Sequence, residues 1–183
     1  MTDFKQDHPN GMILAMDEMT LYLQATMQRV WYPIGQRPLL TVSPQRDCQH
    51  WYGALCLNTG QELALSVPGL DSRTTLHFLQ HLLTAFPAQP IFLFLDRAPW
   101  HRGDLIRAFL SENPRLQVLY FPPACPQLNP QEHVWKAARQ AVSHNHHFTT
   151  LAALRTAFAT FLDQTLFNFA WLERFVPPIL CQV

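Results

Sequence analysis

The chain has 183 residues, of which 48% are hydrophobic and 14% are charged, so we expect one domain with a full core and exclude a disordered or fibrous chain. The formal net charge is zero, whereas proteins that bind duplex DNA alone usually carry an excess of basic residues. If this protein acts on DNA, we expect another polypeptide or region to supply part of its affinity for DNA. No apolar run is long enough to span a bilayer, and the amino terminus lacks a signal-peptide pattern, so we expect a soluble protein that is not exported.

The first residues after the polar lead-in predict two short strands. An apolar run from Met12 to Met16 ends on Asp17, with Glu18 beside it. Residues 21–25 then alternate between apolar and polar side chains, as a half-buried antiparallel strand does. The sequence thus predicts that Asp17 lies at the end of the first strand.

A loop and a hairpin follow. Residues 29–38, with the sequence RVWYPIGQRP, carry two prolines and a glycine around Trp31 and predict an ordered loop. Residues 51–57 and 63–67 predict two further strands, which Asn58-Thr59-Gly60 joins by a hairpin turn. Successive strands joined in this way pair in the antiparallel sense.

The rest of the chain alternates between helix and strand. The predicted elements are a helix from Asp71 or Ser72 to about Ala85, a strand over 91–95, a helix over 103–111, a strand over 116–121, a helix from Pro130 and a helix over 151–161. Strands separated by helices are parallel neighbours, whereas the opening hairpin is antiparallel. The sequence therefore predicts an α/β protein with a mixed sheet flanked by helices.

Asp96 follows the most apolar strand. The five residues of Ile91–Leu95 are all apolar, which indicates a central strand buried on both faces. Open α/β sheets bind their ligands at the carboxyl ends of such strands, so Asp96 is a candidate functional residue. The alternative is that Asp96 only caps the turn before Pro99.

Glu132 stands at the start of a predicted helix. Asn129 is a good N-cap, Pro130 suits the first helical position, and Glu132 takes the third position, where it could fold back on the cap in a capping box. On the helical wheel Glu132 shares a polar face with Lys136 and Arg139. An exposed pair of Glu132 with Lys136 would give the same pattern, so the wheel does not decide between the two interpretations.

Three acids can meet at one edge of this sheet, namely Asp17, Asp96 and Glu132. Carboxylate oxygens in that number suit Mg²⁺ or Mn²⁺, and the scattered cysteines offer no C-x-x-C pair for zinc. Two such ions can activate a water or a 3′-hydroxyl and stabilise the leaving oxygen in phosphodiester displacement. A glycosidase pair could also be drawn from these acids, but no sugar-binding aromatic platform accompanies them.

These blocks together resemble a known family. MDE at 16–18, LDRAPWH at 95–101 and CPQLNPQEHVW at 125–135 are similar to the DDE catalytic domain of bacterial insertion-sequence transposases of family 630, which are relatives of the mariner elements. The loop at 29–38 is similar to that family's tryptophan and glycine loop, and 35 residues separate Asp96 from Glu132, close to the family spacing.

The resemblance implies a ribonuclease-H-like fold, a five-stranded sheet with three antiparallel strands and then two parallel ones. It also implies two divalent ions and strand cleavage and transfer at transposon ends. By matching positions, Asp17, Asp96 and Glu132 would be the catalytic, metal-binding triad. The expected partners are transposon-end and target DNA and a second copy of the chain, at the nucleoid of a bacterial cytoplasm.

Two departures from the family matter. Arg97 stands where the family usually has asparagine, and it could either pair with Asp96 and compete with a metal or turn outward to a DNA phosphate. The chain starts almost at the first predicted strand, so we expect it to lack the helix-turn-helix modules of full-length relatives, residues 1–183 to form one catalytic domain, and a separate helix-turn-helix subunit to be a candidate partner.

Further DNA-contact candidates are His101, Lys136 and Arg139. His101 could instead order the loop under Trp100, and the two basic residues could form a solvated helix face. The aromatic run over 167–175 predicts core or a dimer surface. Two other functions stay open: a non-catalytic transposase remnant that binds or inhibits, which Arg97 would favour, and a structure-specific nuclease on the same fold.

Overall fold

The computed structural model describes residues 7–37, 39–123 and 125–167. Its centre is a five-stranded sheet of order β3-β2-β1-β4-β5. The strands are β1 (Met12–Tyr22), β2 (Cys48–Cys56), β3 (Glu62–Val67), β4 (Ile91–Leu95) and β5 (Leu116–Tyr120). The first three pair antiparallel, and β1, β4 and β5 pair parallel, which confirms the predicted mixed sheet.

Strand β1 is longer than the sequence predicts. It is one continuous strand of 11 residues, so the prediction that Asp17 ends the first strand is wrong. The strand continues because β2 pairs with it from Leu14 to Tyr22, whereas β4 pairs with it only from Met12 to Ala15. Asp17 therefore lies within a strand, just beyond the point where its parallel neighbour stops.

Within the described ranges, four α-helices flank the sheet: α1 (Ser72–Ala85), α2 (Asp104–Glu112), α3 (Pro130–Ala138) and α4 (Leu151–Gln164). Short 3₁₀ turns occupy Pro99–His101 and Pro126–Leu128, and a π turn over Arg139–Ser143 extends α3. The predicted start of α1 is confirmed, since the Asp71 carboxylate accepts hydrogen bonds from the backbone N–H groups of Arg73 and Thr74, both at 2.8 Å. Such a cap satisfies N–H groups that have no partner within the helix.

The helices form a layer on each face of the sheet. On one face, β-strand residues pack against Phe78, Leu79 and Leu82 of α1 and Ile106 of α2. On the other face, they pack against residues of α3 and α4, such as Trp135 and Phe158. Adjacent residues Trp51 and Tyr52 of β2 belong to opposite cores, as the two-residue period of a strand requires.

Residues 23–47 connect β1 to β2, and the described ones, 23–37 and 39–47, contain no helix or strand apart from a single bridge between Thr26 and His144. Trp31 within this loop is fully exposed, so no packing around the indole orders the loop. Its start is anchored, because the N–H of Asn145 donates to the Thr26 carbonyl at 3.0 Å.

Phe167 alone of the aromatic run predicted over 167–175 lies within the described residues, and it is buried in the core beside α4. The rest of that run lies outside them. Among the helices of the described ranges, none has the length and apolar character needed to cross a membrane.

Candidate active site

The three predicted acids line one cleft. Asp17 comes from β1, Asp96 directly follows β4, and Glu132 lies in the first turn of α3. The cleft has a volume of about 380 Å³, and its remaining wall residues are Arg97, Ala98, Phe121, Pro122, Pro123, Cys125 and Asn129. It therefore opens where strand β4 ends and β1 continues, which is the kind of position at which mixed sheets hold ligands.

Strand periodicity explains why Asp17 and Asp96 face the same side. Ala15 and Phe94 are paired in the parallel register and share one small core with Phe121. Asp17 lies two residues further along β1, and Asp96 lies two residues after Phe94, just past the end of β4, so both side chains reach the cleft on that face. Helix α3 covers this face and supplies Glu132.

Asp17 carries a buried oxygen atom without a protein partner. Its Oδ2 has no hydrogen-bond donor within the part of the chain that the structure describes. Burial raises the pKa of Asp17 well above its usual value, and the negative charges of Glu132, Glu18 and Asp96 raise it further. An acceptor left unpaired among like charges is stabilised by a cation, so these donors fit Mg²⁺ or Mn²⁺.

Asp96 has two differently engaged oxygens. Its Oδ1 accepts a hydrogen bond from the Ala98 N–H at 2.9 Å and forms an ion pair with His101 Nδ1 at 2.8 Å, while the same Nδ1 also donates to the Asp96 backbone carbonyl at 3.3 Å. The hydrogen bond from His101 lowers the pKa of Asp96; partial burial opposes this, and the Ala98 N–H supports it. The side chain is 53% exposed, so the carboxylate remains open to the cleft.

Glu132 does not fold back on the helix cap. Asn129 caps α3 as predicted, with Oδ1 accepting from the Gln131 N–H at 3.1 Å, and Glu132 is exposed at the cleft. Asn129 also donates from Nδ2 to the Met16 carbonyl at 3.0 Å. This bond ties the start of α3 to the strand beside Asp17, a contact that the helix-start pattern did not predict.

His101 is buried behind Asp96. Its side chain is 1% exposed, Nδ1 contacts Asp96, and Nε2 contacts Glu18 Oε1, which also accepts from Trp100 Nε1 at 3.2 Å. Burial alone would lower the pKa of His101, but the hydrogen bonds and charges of Asp96 and Glu18 outweigh it and raise the pKa to about 9. Because both ring nitrogens contact carboxylates and the ring is enclosed, the geometry favours the alternative in which His101 orders the turn beside Trp100 over a direct contact with DNA.

Arg97 lies in the wall of the cleft without pairing with Asp96. Its Nε donates to the Phe121 carbonyl at 3.2 Å, at the end of β5. Among the ion pairs of the described residues, Asp96 pairs with His101 instead. Of the two interpretations of Arg97, the geometry favours a guanidinium anchored to the wall over a direct competitor for the metal.

Lys136 and Arg139 line a second depression beside the cleft. Its volume is about 430 Å³, and Glu132, His133 and His144 also line it. Burial and then the positive charge of Lys136 lower the pKa of His133, and burial and Arg139 act in the same way on His144. The surface next to Glu132 is therefore basic.

A buried hydrogen bond between Glu62 and Gln131 holds α3 against the sheet behind the acids. Glu62 of β3 accepts a hydrogen bond from Gln131 Nε2 at 2.7 Å, and burial raises the pKa of Glu62 well above its usual value. The two side chains, with Trp135, fill the space over Gly53, the residue opposite Asp17 in the β1–β2 ladder. Sequence patterns did not predict this pair, whose members are 69 residues apart.

Comparison with known proteins supports this architecture. The family described as DDE superfamily endonuclease matches residues 12–155. A curated relative, the uncharacterized 39 kDa protein of insertion element IS630 from Shigella sonnei, is 24% identical over 158 residues, which are 86% of this chain and 45% of that protein. The chain thus spans about half the length of this relative.

Solved structures show the same fold. The Mos1 transposase paired-end complex with the left transposon end is similar with a TM-score of 0.69 at 14% identity, over 93% of this chain and 53% of that one. The Mos1 mariner paired-end complex with Mn is similar with a TM-score of 0.65 at 15% identity, over 93% and 53%. The sheet order and flanking helices are those of the ribonuclease-H-like fold, as predicted. Since the family match covers most of the chain, the protein belongs to the DDE superfamily endonucleases.

Proposed function

We propose that this chain is the catalytic domain of a transposase, which cleaves DNA strands at transposon ends and transfers them to target DNA with two Mg²⁺ or Mn²⁺ ions. The observation that carries the proposal is the convergence of Asp17, Asp96 and Glu132 on one cleft, where Asp17 presents a buried oxygen atom without a donor. Family membership and the likeness to the Mos1 complexes support the same chemistry.

Each acid of the cleft has its own part in this proposal. Asp17 offers the buried oxygen, Asp96 offers the carboxylate oxygen that His101 and Ala98 leave free, and Glu132 offers its carboxylate from the opposite wall. Divalent ions, when bound, supply activation of the attacking water or 3′-hydroxyl and stabilisation of the leaving oxygen. The protein contributes by keeping the carboxylates at fixed positions on strands and a helix.

The basic residues around the cleft are the DNA contacts that we propose. Arg97 is anchored at Nε by the Phe121 carbonyl, and a guanidinium held in this way suits a phosphate oxygen. Lys136 and Arg139 lie beyond Glu132 on the neighbouring depression. Contacts of this kind place the phosphate backbone over the acids without reading the base sequence.

The neutral net charge bears on the partners. A chain with formal net charge zero gains little non-specific affinity for DNA, so we propose that a helix-turn-helix region or subunit supplies much of the affinity for the transposon ends. We also propose a homodimer that brings two ends together at the bacterial nucleoid, since the similar Mos1 structures are paired-end complexes.

Metal binding and strand nicking test the proposal together. We expect Mn²⁺ titrated into the full chain to give a saturable calorimetric signal with two ions per chain, and the protein to nick supercoiled plasmid in Mn²⁺. Asp96→Asn or Glu132→Gln should abolish nicking and remove binding, because each deletes a charged oxygen ligand. Asp104→Asn is the matched control, since this acid is exposed on α2, outside the cleft, beside Arg107.

A folded chain that binds no Mn²⁺ would overturn the enzyme assignment and leave the non-catalytic, inhibitory remnant. Mn²⁺-dependent nicking without joining of transposon-end DNA to a target would instead indicate a nuclease on the same fold.

A further inference from the structure

The two carboxylate oxygens of Asp96 are not equivalent. Oδ1 accepts a hydrogen bond from the Ala98 N–H at 2.9 Å and forms an ion pair with His101 Nδ1 at 2.8 Å; Nδ1 also donates to the Asp96 backbone carbonyl at 3.3 Å. No hydrogen bond to Oδ2 occurs within residues 7–37, 39–123 and 125–167. Since the side chain is half exposed and lines the cleft, Oδ2 is the oxygen that a bound cation would meet.

The imidazole that engages Oδ1 is itself held in place. His101 Nε2 contacts Glu18 Oε1, and the Glu18 side chain is 7% exposed, so this acid is committed to the protein and not to solvent. Trp100 Nε1 donates to the same Glu18 oxygen at 3.2 Å, and the Tyr120 hydroxyl donates to the His101 carbonyl at 3.0 Å. The ring of His101 is therefore held by Glu18 of β1, and the backbone of its turn is held by Tyr120 of β5.

Glu18 reaches His101 from the face of the sheet opposite to the cleft. Consecutive residues of a strand point to opposite faces, so Glu18 points away from the side of Asp17. Asp96 stands beyond the last residue of β4, where a side chain can be approached from both faces. The imidazole occupies one side of this carboxylate and leaves the other side for the cleft.

We propose that His101, held by Glu18, is the positioning residue for Asp96: it occupies Oδ1 and so presents Oδ2 to a divalent ion. This inference rests on the proposed metal-dependent function. It adds to the triad a role for Glu18, which holds the His101 ring. Partners that orient metal-binding carboxylates and imidazoles usually change metal affinity or activity about 10- to 100-fold when they are removed.

Glu18, Asp96 and His101 form an alternative candidate metal site. Donor atoms of Glu18, Asp96 and His101 lie within 4.8 Å of one another. His101 is 1% exposed, however, and both its nitrogens already bind carboxylate oxygens. The geometry therefore favours an ion in the open cleft and a proton-bearing ring behind it.

Two neutral replacements of His101 separate these possibilities. In His101→Asn, the amide nitrogen stands close to the place of Nδ1 and can still donate to Asp96; in His101→Gln, it stands close to the place of Nε2 and can donate only to Glu18. Both variants carry a neutral amide in place of the imidazole. We expect Mn²⁺ affinity, measured by calorimetry on the full chain, to stay within about 3-fold for His101→Asn and to fall about 10-fold or more for His101→Gln.

Plasmid nicking gives a second readout. For His101→Gln, nicking should require more Mn²⁺ but approach the wild-type rate at saturation, because the position of the ligand has changed and not the reacting groups. Thermal unfolding in EDTA checks that both variants fold. If the buried Glu18 charge prevents folding of the variants, His101→Asn and His101→Gln are compared in a Glu18→Gln background. The side-chain amide oxygen at position 18 can still accept the hydrogen bond from Trp100 Nε1 there.

Equal Mn²⁺ affinities for the two variants, or a greater loss for His101→Asn, would overturn the positioning role. Complete loss of Mn²⁺ binding in both variants would overturn it as well, because His101 would then be a ligand. Failure of the proposed function is distinguishable, since the unsubstituted chain would then fold and bind no Mn²⁺.

Discussion

Replacing Gly53 by alanine tests how closely α3 is packed against the sheet behind Asp17. A β-carbon at this position would lie 2.4 Å from Glu62 Oε1, 2.4 Å from Trp135 Cη2 and 2.5 Å from Gln131 Nε2, all closer than van der Waals contact. Overpacking a filled core costs about 1–3 kcal/mol. Parting the buried Glu62–Gln131 hydrogen bond adds about 1–3 kcal/mol.

The methyl group also has a favourable effect, because alanine lowers the entropy of the unfolded chain and recovers about 0.4–1 kcal/mol. We therefore expect Gly53→Ala to lower the free energy of unfolding by about 3 kcal/mol, measured by urea unfolding followed by far-UV circular dichroism. Gly69→Ala is the matched control, since no atom lies within 4 Å of its added β-carbon. If the two variants unfolded alike, the contacts inferred for α3 would be refuted.

Three further predictions concern the cleft. In EDTA at pH 7, Asp17→Asn should raise the melting temperature. Burial and the neighbouring acids raise the pKa of Asp17 in the folded state, so the stability that this side chain contributes is present at low pH and is lost as the pH rises through the folded-state pKa. Asparagine carries no charge and avoids this loss. An unchanged or lower melting temperature would contradict this reasoning. Arg97→Asn should lower the slope of log affinity for DNA against log salt by about 1 and leave Mn²⁺ affinity unchanged, whereas higher Mn²⁺ affinity would show that Arg97 competes with the metal. Asn129→Ser keeps an oxygen that can cap α3 but loses the amide donor to the Met16 carbonyl, so it should lower the free energy of unfolding by about 1 kcal/mol. Asn129→Ala loses the cap as well and should lower it by about 1 kcal/mol more. Equal losses for the two variants would show that the cap does not contribute.

Local patterns predicted the elements that carry the acids. The apolar run Ile91–Leu95 predicted a buried strand that ends on Asp96, and the Asn129 cap predicted the helix that begins at Pro130. These features depend on residues close in sequence, whose preferences act through the backbone. The length of β1 could not be predicted in this way, because pairing with β2 extends that strand past Asp17.

The contacts that orient the acids were harder to predict. His101 and Glu18 are 83 residues apart, and Asn129 and Met16 are 113 apart, so their hydrogen bonds exist only once the sheet and its helices have packed. The sequence offered one signal for the contact of Glu18 with His101, namely that a second acid follows Asp17 directly. It did not reveal that the two carboxylates point to opposite faces and serve different partners.

The short stretch over which β1 pairs with β4 restricts where insertions and deletions can be tolerated during evolution. Asp17 and Asp96 share a face only because β1 and β4 keep their register from Met12 to Ala15. Insertion of one residue in β4 would turn Asp96 away from the face of Asp17, whereas an insertion in the connection over 23–47 would cost little more than chain entropy. Insertions and deletions should therefore accumulate in the connections between strands, while the number of residues in these two strands stays constant.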